Sequence, residues 1–138
     1  MTTLALVKLW ELDEAWPAVL PLVSDACART DRFTADDVLG WLKDESMQLW
    51  CALDPDVRAV CVTEVLTYPK RKVLSIVILT GDDRAHWAEH FDELCAWADA
   101  QDCTGIEALA RPGWAKVLSP VGFRTTHVRI EKELSHAV

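Results

Sequence analysis

The chain has 138 residues, of which 51% are hydrophobic and 26% are charged, and this balance predicts a single globular domain that covers residues 1–138. Its formal net charge of −8 argues against nucleic-acid binding, because a protein that contacts the phosphate backbone needs a basic face. No apolar run approaches the length of a membrane span, and the opening MTTLALVKLW lacks the charged region and long apolar core of a signal peptide. These features predict a cytoplasmic location without membrane association.

Cysteine and histidine usage gives little sign of a metal site. The five cysteines include no CxxC pair, and most lie within the apolar patterns typical of free buried thiols. His86 and His90 have the i, i+4 spacing of a possible chelating pair on a predicted helix, but no carboxylate of the HExxH kind accompanies them. We therefore predict no metal cofactor.

The first half of the chain begins with a strand and two helices. Residues 4–10 alternate as a strand, and a helical period then runs from Trp16 to Cys27. Thr34 and Asp37 resemble a capping box at the start of a second, shorter helix. Strands joined by short connections follow, which predicts an antiparallel meander. They cover residues 47–53, 57–68 and 72–80.

The second half of the chain adds one crossover and a closing strand. A single apolar stripe runs along a helix at residues 84–101 and must face the sheet. Its connection to a strand at residues 105–110 requires a parallel, right-handed crossover. A short helix at residues 112–121 and an alternating strand at residues 124–134 complete the chain. The order β-α-α-β-β-β-α-β-α-β predicts an α+β (α/β) fold, with a mixed, mostly antiparallel sheet and helices on both faces.

This element order, with Val121-Gly122-Phe123 just before the final strand, resembles the GNAT superfamily of acyl-coenzyme A-dependent N-acyltransferases. The stretches QLWCALD and CAWADAQDCTGIEALARPGW and the ending IEKEL are similar to small GNAT-like proteins of tailed bacteriophages and prophages. The resemblance covers nearly the whole chain. It implies that the fourth and fifth strands splay apart, so that the gap accepts the pantetheine arm of coenzyme A like an added strand.

GNAT enzymes hold the pyrophosphate of coenzyme A in a turn of the form Arg/Gln-x-x-Gly-x-Gly/Ala, whose backbone N–H groups point at the phosphates. The resemblance puts this turn on residues 82–87, with Asp82 at the Arg/Gln position, Ala85 at the first glycine and Trp87 at the second small residue. An aspartate about 5 Å from the diphosphate costs on the order of a few kcal/mol at an effective dielectric of about 20, although Arg84 offsets part of the repulsion. The helical stripe indicates that Trp87 faces the core rather than the turn.

This divergence favours a protein that does not bind acetyl-CoA. If acyl-CoA does bind, the resemblance implies a set of residues that hold it: Ile78, Thr80, Gly81, Arg84 and Ala85.

Many GNAT enzymes use a tyrosine, four residues before the glycine of the Gly-Phe pair, to protonate the departing thiolate. That position is Leu118 here, with Ser119 beside it, and a serine is a poor acid at its normal pKa. Glu64 is the candidate base, because on its strand face a glutamate is either partly buried with a raised pKa or paired with a cation, unless the face is simply solvated. Glu107, on the fifth strand, is expected to form an ion pair with Arg111 or with a lysine of a neighbouring strand.

The turn ARPGW, which contains Arg111 and Trp114, has two interpretations. Arginine and tryptophan are enriched at binding hot spots, so the turn is a candidate contact for a protein partner or an anion. A tight connection from strand to helix, with the indole packed against the core, explains the same residues.

Three functions stay open from the sequence. The diverged turn and Leu118 favour a GNAT-fold protein that is non-catalytic or weakly catalytic and acts through protein contacts, as a virion-associated or accessory protein if the phage resemblance holds. The alternative is an active acetyl-CoA-dependent N-acyltransferase that modifies an amine. The third is a scaffold or dimerisation domain unrelated to GNATs, which the absence of a gap between the fourth and fifth strands would favour.

Overall fold

A five-stranded sheet forms the centre of the protein. The computed structural model describes residues 3–81 and 87–135. The strands lie side by side in chain order, and they are β1 (Thr3–Leu6), β2 (Gln48–Leu53), β3 (Val57–Thr67), β4 (Lys72–Gly81) and β5 (Gly105–Ala108). The pairs from β1 to β4 are antiparallel, whereas β5 is parallel to β4. The predicted mixed and mostly antiparallel sheet is confirmed.

Helices cover both faces of the sheet, as predicted. They are α1 (Leu12–Cys27), α2 (Ala35–Lys43), α3 (Trp87–Ala100) and α4 (Gly113–Leu118), with short 3₁₀ turns at Leu9–Glu11 and Ser119–Val121. The first two helices pack on one face, called here the α1–α2 face, and the last two pack on the opposite, α3–α4 face. Among the helices of the described ranges, none combines the length and the apolar character that crossing a bilayer requires.

The predicted capping box at the start of α2 is formed. The Thr34 hydroxyl accepts a hydrogen bond from the Asp37 N–H at 3.3 Å, and the Asp37 carboxylate accepts one from the Thr34 N–H at 2.9 Å. Both N–H groups lack a partner within the helix, so this reciprocal arrangement satisfies them and marks where α2 begins.

Each face of the sheet has its own apolar core. On the α1–α2 face, Val19 and Val23 of α1 pack in one cluster with Val60 and Val62 of β3, and all four are 0% exposed. On the α3–α4 face, the predicted stripe of α3 is confirmed by the buried side chains of Trp87, Phe91, Leu94 and Ala98. Full burial of a large apolar side chain stabilises the fold by about 1.5–3 kcal/mol, so these clusters hold the helices on the sheet.

The closing strand predicted at residues 124–134 is wrong. This segment, called here the tail, contains no strand and makes no backbone hydrogen bond with a described residue. Its alternating side chains are solvent-exposed, and Val128 and Ile130 are 79% and 89% exposed. The reason is that alternation becomes a strand only where a neighbouring edge supplies hydrogen-bond partners, and in this chain the tail has no such neighbour among the described residues.

Candidate functional site

β5 pairs with β4 along its whole length, but β4 is longer and extends beyond the end of β5. Their shared register ends at the pair of Ile76 and Ala108, whereas β4 continues to Gly81. On its other side, β4 remains paired with β3 to its last residue. Residues 77–81 therefore have a strand neighbour on one side only, within the part of the chain that the structure describes. We call the space beside them the β4–β5 opening.

A bulge in β4 coincides with the start of this opening. Val62 of β3 lies opposite Ile78, but the next residue, Thr63, lies opposite Ile76, so Val77 is an extra residue in β4. A bulge bends its strand and increases the local twist. Val77 directly follows the last residue of β4 that pairs with β5, so the bend lies where the pairing of the two strands ends.

The residues predicted to hold acyl-CoA fall partly along the opening. Ile78 and Thr80 are 5% and 8% exposed, so their side chains are largely buried and their main chain is the part that can meet a ligand. Gly81 ends β4 beside them. Arg84 and Ala85 lie outside the described residues, and so does Asp82. The predicted repulsion of the diphosphate by Asp82, and its partial offset by Arg84, therefore stay predictions.

Trp87 begins α3 and faces the core rather than the turn. It is 1% exposed and belongs to the cluster on the α3–α4 face, as its place in the helical stripe predicts. The indole is therefore packed within the α3–α4 core. Its Nε1 is buried without a hydrogen-bond partner among the described residues. Leaving such a donor unsatisfied costs about 1–3 kcal/mol, so the start of α3 carries a polar group that a ligand atom or a water could satisfy.

Two carboxylates and a hydroxyl form a row across three strands next to the opening. Glu64 of β3 lies opposite Ser75 of β4, which in turn lies opposite Glu107 of β5. Adjacent strands are about 4.8 Å apart, so the Cα atoms of the two glutamates are about 10 Å apart. The row immediately precedes the pair at which β4 and β5 separate. We call these three residues the carboxylate row.

The carboxylate row projects from the α1–α2 face. Val62, two positions before Glu64 on β3, lies in the core of that face, and Ile106 packs on the opposite face, so its neighbour Glu107 points to the α1–α2 side. Glu107 is exposed and Glu64 is half-buried. Neither carboxylate forms an ion pair or a hydrogen bond with a described residue, so the cation partner expected for Glu107 is absent there. Within the described ranges, no cation occupies either carboxylate, so each could bind a cationic group.

The position expected for a general acid is occupied by a core residue. Leu118 is 4% exposed and packs in the cluster of the α3–α4 face. Ser119 follows it in the 3₁₀ turn and is exposed. α4 covers the face opposite to that from which Glu64 projects, so the structure does not place Ser119 and Glu64 side by side. A ligand that meets both would have to pass through the β4–β5 opening.

The ARPGW turn presents one of its two candidate side chains to solvent. Trp114 is 7% exposed and packs in the α3–α4 core, while Arg111 is exposed. The indole thus takes the packed position that the turn interpretation gives it. A partner contact at this turn stays a prediction, and in this conformation Arg111 is the side chain that could make it.

Histidine and cysteine positions offer no cluster for a metal within residues 3–81 and 87–135. No group of three or more histidine, cysteine, aspartate or glutamate side chains in these ranges could hold a metal ion. His86 lies outside the described residues. His90 is buried in α3, where its ring meets that of Trp87 edge-on with the ring centroids 5.8 Å apart.

The chain matches no protein-family model and no curated protein sequence. Among solved structures, it is similar to a predicted acetyltransferase of Clostridium acetobutylicum in complex with acetyl-CoA, with a TM-score of 0.70, 13% identity and coverage of 96% of both chains. It is also similar to an aminoglycoside acetyltransferase from an uncultured soil metagenomic sample, with a TM-score of 0.73, 12% identity and coverage of 98% of this chain and 99% of the other. A third is the ribosomal-protein-alanine N-acetyltransferase of Brucella melitensis biovar Abortus 2308, with a TM-score of 0.68, 16% identity and coverage of 97% and 100%. At these identities the likeness shows the fold alone, and the chain has the fold of GNAT acetyltransferases.

Proposed function

We propose that the protein is an acetyltransferase-like enzyme that moves an acyl group from acyl-CoA to an amine. The β4–β5 opening carries this proposal. Its free strand edge, residues 77–81, offers main-chain N–H and C=O groups in the spacing of a strand, and a pantetheine arm contains amides that can pair with such an edge. The scaffold alternative of a meander without a gap is less well supported, because β4 extends five residues beyond its last pair with β5.

The described residues fit the pantetheine part of coenzyme A. Besides the free edge of β4, the unsatisfied Nε1 of Trp87 lies at the start of α3, the helix that follows β4, where it could donate to a ligand oxygen. The pyrophosphate turn falls on residues outside the described ranges. There Asp82 and Arg84 keep the opposing roles that the sequence gives them, one repelling a diphosphate and one attracting it.

The carboxylate row supplies the proton chemistry in this proposal. Bound acetyl-CoA would supply an activated acetyl thioester. An amine must lose a proton before or while it attacks, and Glu64 and Glu107 are carboxylates without a cation partner among the described residues, beside the opening. Ser119, on the opposite side of the opening, is the candidate donor to the departing thiolate, with water as the alternative source of that proton.

Charge favours a cationic amine as the acceptor. The chain has a formal net charge of −8, and a negative surface attracts cations over distances beyond direct contact. The carboxylate row places two acidic side chains where the acceptor would approach. Polyamines, aminoglycosides and lysine-containing peptides are therefore the first acceptors to examine.

Titration calorimetry with acetyl-CoA, followed by a thiol-release assay with these amines, tests the proposal. We expect acetyl-CoA to bind and thiol release to depend on the amine. Glu64→Gln or Glu107→Gln should lower the turnover number by about 10²–10⁴-fold, the range of general-base catalysis, and leave the acetyl-CoA affinity within about twofold. Glu14→Gln, at an exposed position in the first turn of α1, is the matched control and should change neither quantity. Binding without turnover on any amine would contradict the enzymatic part.

A non-catalytic GNAT-fold protein is the second candidate. The burial of Leu118 at the position of the usual acid favours it, as does Asp82 in the turn sequence. In this case the protein would act through protein contacts, as an accessory or virion-associated protein of a phage or prophage in the cytoplasm of a bacterial host. The same titration separates the candidates, because this one predicts no heat of binding at millimolar acetyl-CoA.

A further inference from the structure

The turn between β3 and β4 gathers cationic side chains at one end of the sheet. Residues 68–72 read YPKRK, and a hydrogen bond from the Tyr68 N–H to the Arg71 carbonyl oxygen closes the turn at 2.8 Å. Lys70, Arg71 and Lys72 are therefore consecutive cations in a chain whose formal net charge is −8. The reaction proposed above gives this group of charges no role.

The Arg71 side chain lies against the main chain of β5. A Cβ atom at Gly105 would overlap the Arg71 Nη2, so the guanidinium occupies the place that any larger residue would fill. Gly105 precedes Glu107 by two positions on β5, and Ile106 between them packs toward the α3–α4 face. The guanidinium therefore lies on the α1–α2 face, the one from which Glu107 projects.

Arg71 and the carboxylate row are neighbours that are not paired with each other. Two residues along a strand span about 6.6 Å, which separates the Cα atom of Gly105, against which the guanidinium lies, from that of Glu107. No hydrogen bond or ion pair joins the guanidinium to a described residue. A positive and a negative site thus lie side by side on this face, so one ligand could meet both, with an ammonium at the row and an anionic group at Arg71.

We propose that the acceptor is an ω-amino acid or a similar zwitterion, in which a short carbon chain separates an amine from a carboxylate, and that Arg71 binds the carboxylate. The inference rests on the proposed function, because it concerns the amine that accepts the acyl group. The amine lies at the carboxylate row beside the β4–β5 opening, and the carbon chain extends away from the opening toward Gly105. Arginine suits this role because its planar guanidinium can donate two parallel hydrogen bonds to a carboxylate.

Three ligands of equal chain length test the inference: δ-aminovalerate, pentylamine and cadaverine. Each carries an amine at one end, and the other end is a carboxylate, a methyl group or a second amine, respectively. Titration calorimetry of the full chain without acyl-CoA should show that δ-aminovalerate binds about fivefold more tightly than pentylamine, which is the upper range for an ion pair at an exposed position. Equal affinities for the three ligands, or a preference for cadaverine, would overturn the inference.

Variants at two positions assign the preference to Arg71. Arg71→Gln should remove the preference for δ-aminovalerate over pentylamine, whereas Lys70→Gln, which removes an exposed cation of the same turn, should retain it. Gly105→Ala keeps the arginine but places a Cβ where its Nη2 lies, so it should also remove the preference. Circular dichroism should show an unchanged fold in all three variants. A preference that persists in Arg71→Gln would mean that another group binds the carboxylate.

Turnover separates this inference from the proposed function. In the thiol-release assay, the KM for δ-aminovalerate should be about fivefold lower than that for pentylamine, and Arg71→Gln should raise it about fivefold while the turnover number stays within about twofold. Thiol release with equal KM values for the two amines would overturn the inference and leave the proposed function standing. Preferential binding of δ-aminovalerate without thiol release from any amine would contradict the proposed function and leave the Arg71 site standing.

Discussion

The two halves of β4 resemble each other in sequence and differ in their neighbours. The amino half, residues 72–76, is paired with β3 on one side and β5 on the other, and Val73, Leu74 and Ile76 are buried in it. The carboxyl half, residues 77–81, is as apolar but is paired with β3 alone among the described residues. The candidate site therefore arises because β4 loses one strand neighbour beyond Ile76, without any unusual side chain in β4.

The carboxyl half is also asymmetric about its own axis. Its β3 side is sealed, since Cys61, opposite Leu79, is 0% exposed. Its other side has main-chain groups with no strand beside them in the described ranges. One edge of this half is thus paired and closed to solvent, which fixes the strand in the sheet. The other edge has no strand beside it in the described ranges and can take a ligand. The same bulge that opens one side leaves the register on the other side intact apart from one position.

The paired half should carry far more of the fold's stability than its length suggests. Leu74 is 0% exposed beneath α3, so Leu74→Ala should lower the free energy of unfolding by about 2–5 kcal/mol through lost burial and the cavity left behind. Urea unfolding followed by tryptophan fluorescence measures this change. Ser75→Ala, at the adjacent half-buried position, should stay within about 0.5 kcal/mol. Equal losses of unfolding free energy at both positions would contradict the claim that Leu74 lies on a packed side of this half and Ser75 on a less buried side.

Sequence patterns predicted most of the fold because each pattern is local. The stripe of α3, the capping box of Thr34 and Asp37, and the meander from β2 to β4 follow from spacing and short connections, and all three are present. The predicted first strand, residues 4–10, is a partial exception, because β1 ends at Leu6 and a 3₁₀ turn covers Leu9–Glu11. The tail is the larger exception. Its alternation is as clear as that of the other strands, but a strand needs a second edge, and no local pattern says whether that edge exists.

The candidate site was predicted only in part. The β4–β5 separation followed from the resemblance to a fold, whereas the bulge at Val77 depends on the pairing between strands, which spacing along one strand does not give. Glu64 was singled out by its place on an apolar strand. The sequence predicted an ion pair for Glu107 instead. Its alignment with Ser75 and Glu64 depends on the registers of two strand pairs, which the sequence does not show.

The free energy of unfolding at alkaline pH should test whether the sheet on the β3 side of β4 is closed to water. Burial raises the pKa of Cys61, and it raises the pKa of Cys51, on the neighbouring β2, from 9.0 to about 11. Below pH 9 both the folded and the unfolded chain keep these protons, so stability is unaffected. Between pH 9 and 11 the unfolded thiols ionise first, and the free energy of unfolding should fall by up to about 1.4 kcal/mol per pH unit for each thiol.

The variant Cys51→Ala isolates one of these thiols. Urea unfolding at pH 8, 9, 10 and 11 should give a shallower decline for the variant than for the parent, by about 2 kcal/mol over the two upper units. Cys95→Ala, at an exposed position, is the control and should change the slope less. Identical slopes for the parent and Cys51→Ala would mean that the thiol is hydrated and that this part of the sheet is not dry.

Amide hydrogen exchange should detect the unpaired edge of β4 directly, and its expected free-energy difference is the smallest of these predictions. Amides of residues 77–81 that point away from β3 have no strand acceptor in the described ranges. They should therefore exchange at least about tenfold faster than the amides of residues 73–76. This ratio corresponds to a difference of about 1.4 kcal/mol in local protection. Amides of the same five residues that point toward β3 should remain slow. Saturating acetyl-CoA should slow the fast set and leave residues 73–76 unchanged, because an arm that pairs with the free edge protects that edge alone. Uniform protection along β4 in the free protein would mean that something already covers the edge, and the ligand would then have to enter elsewhere.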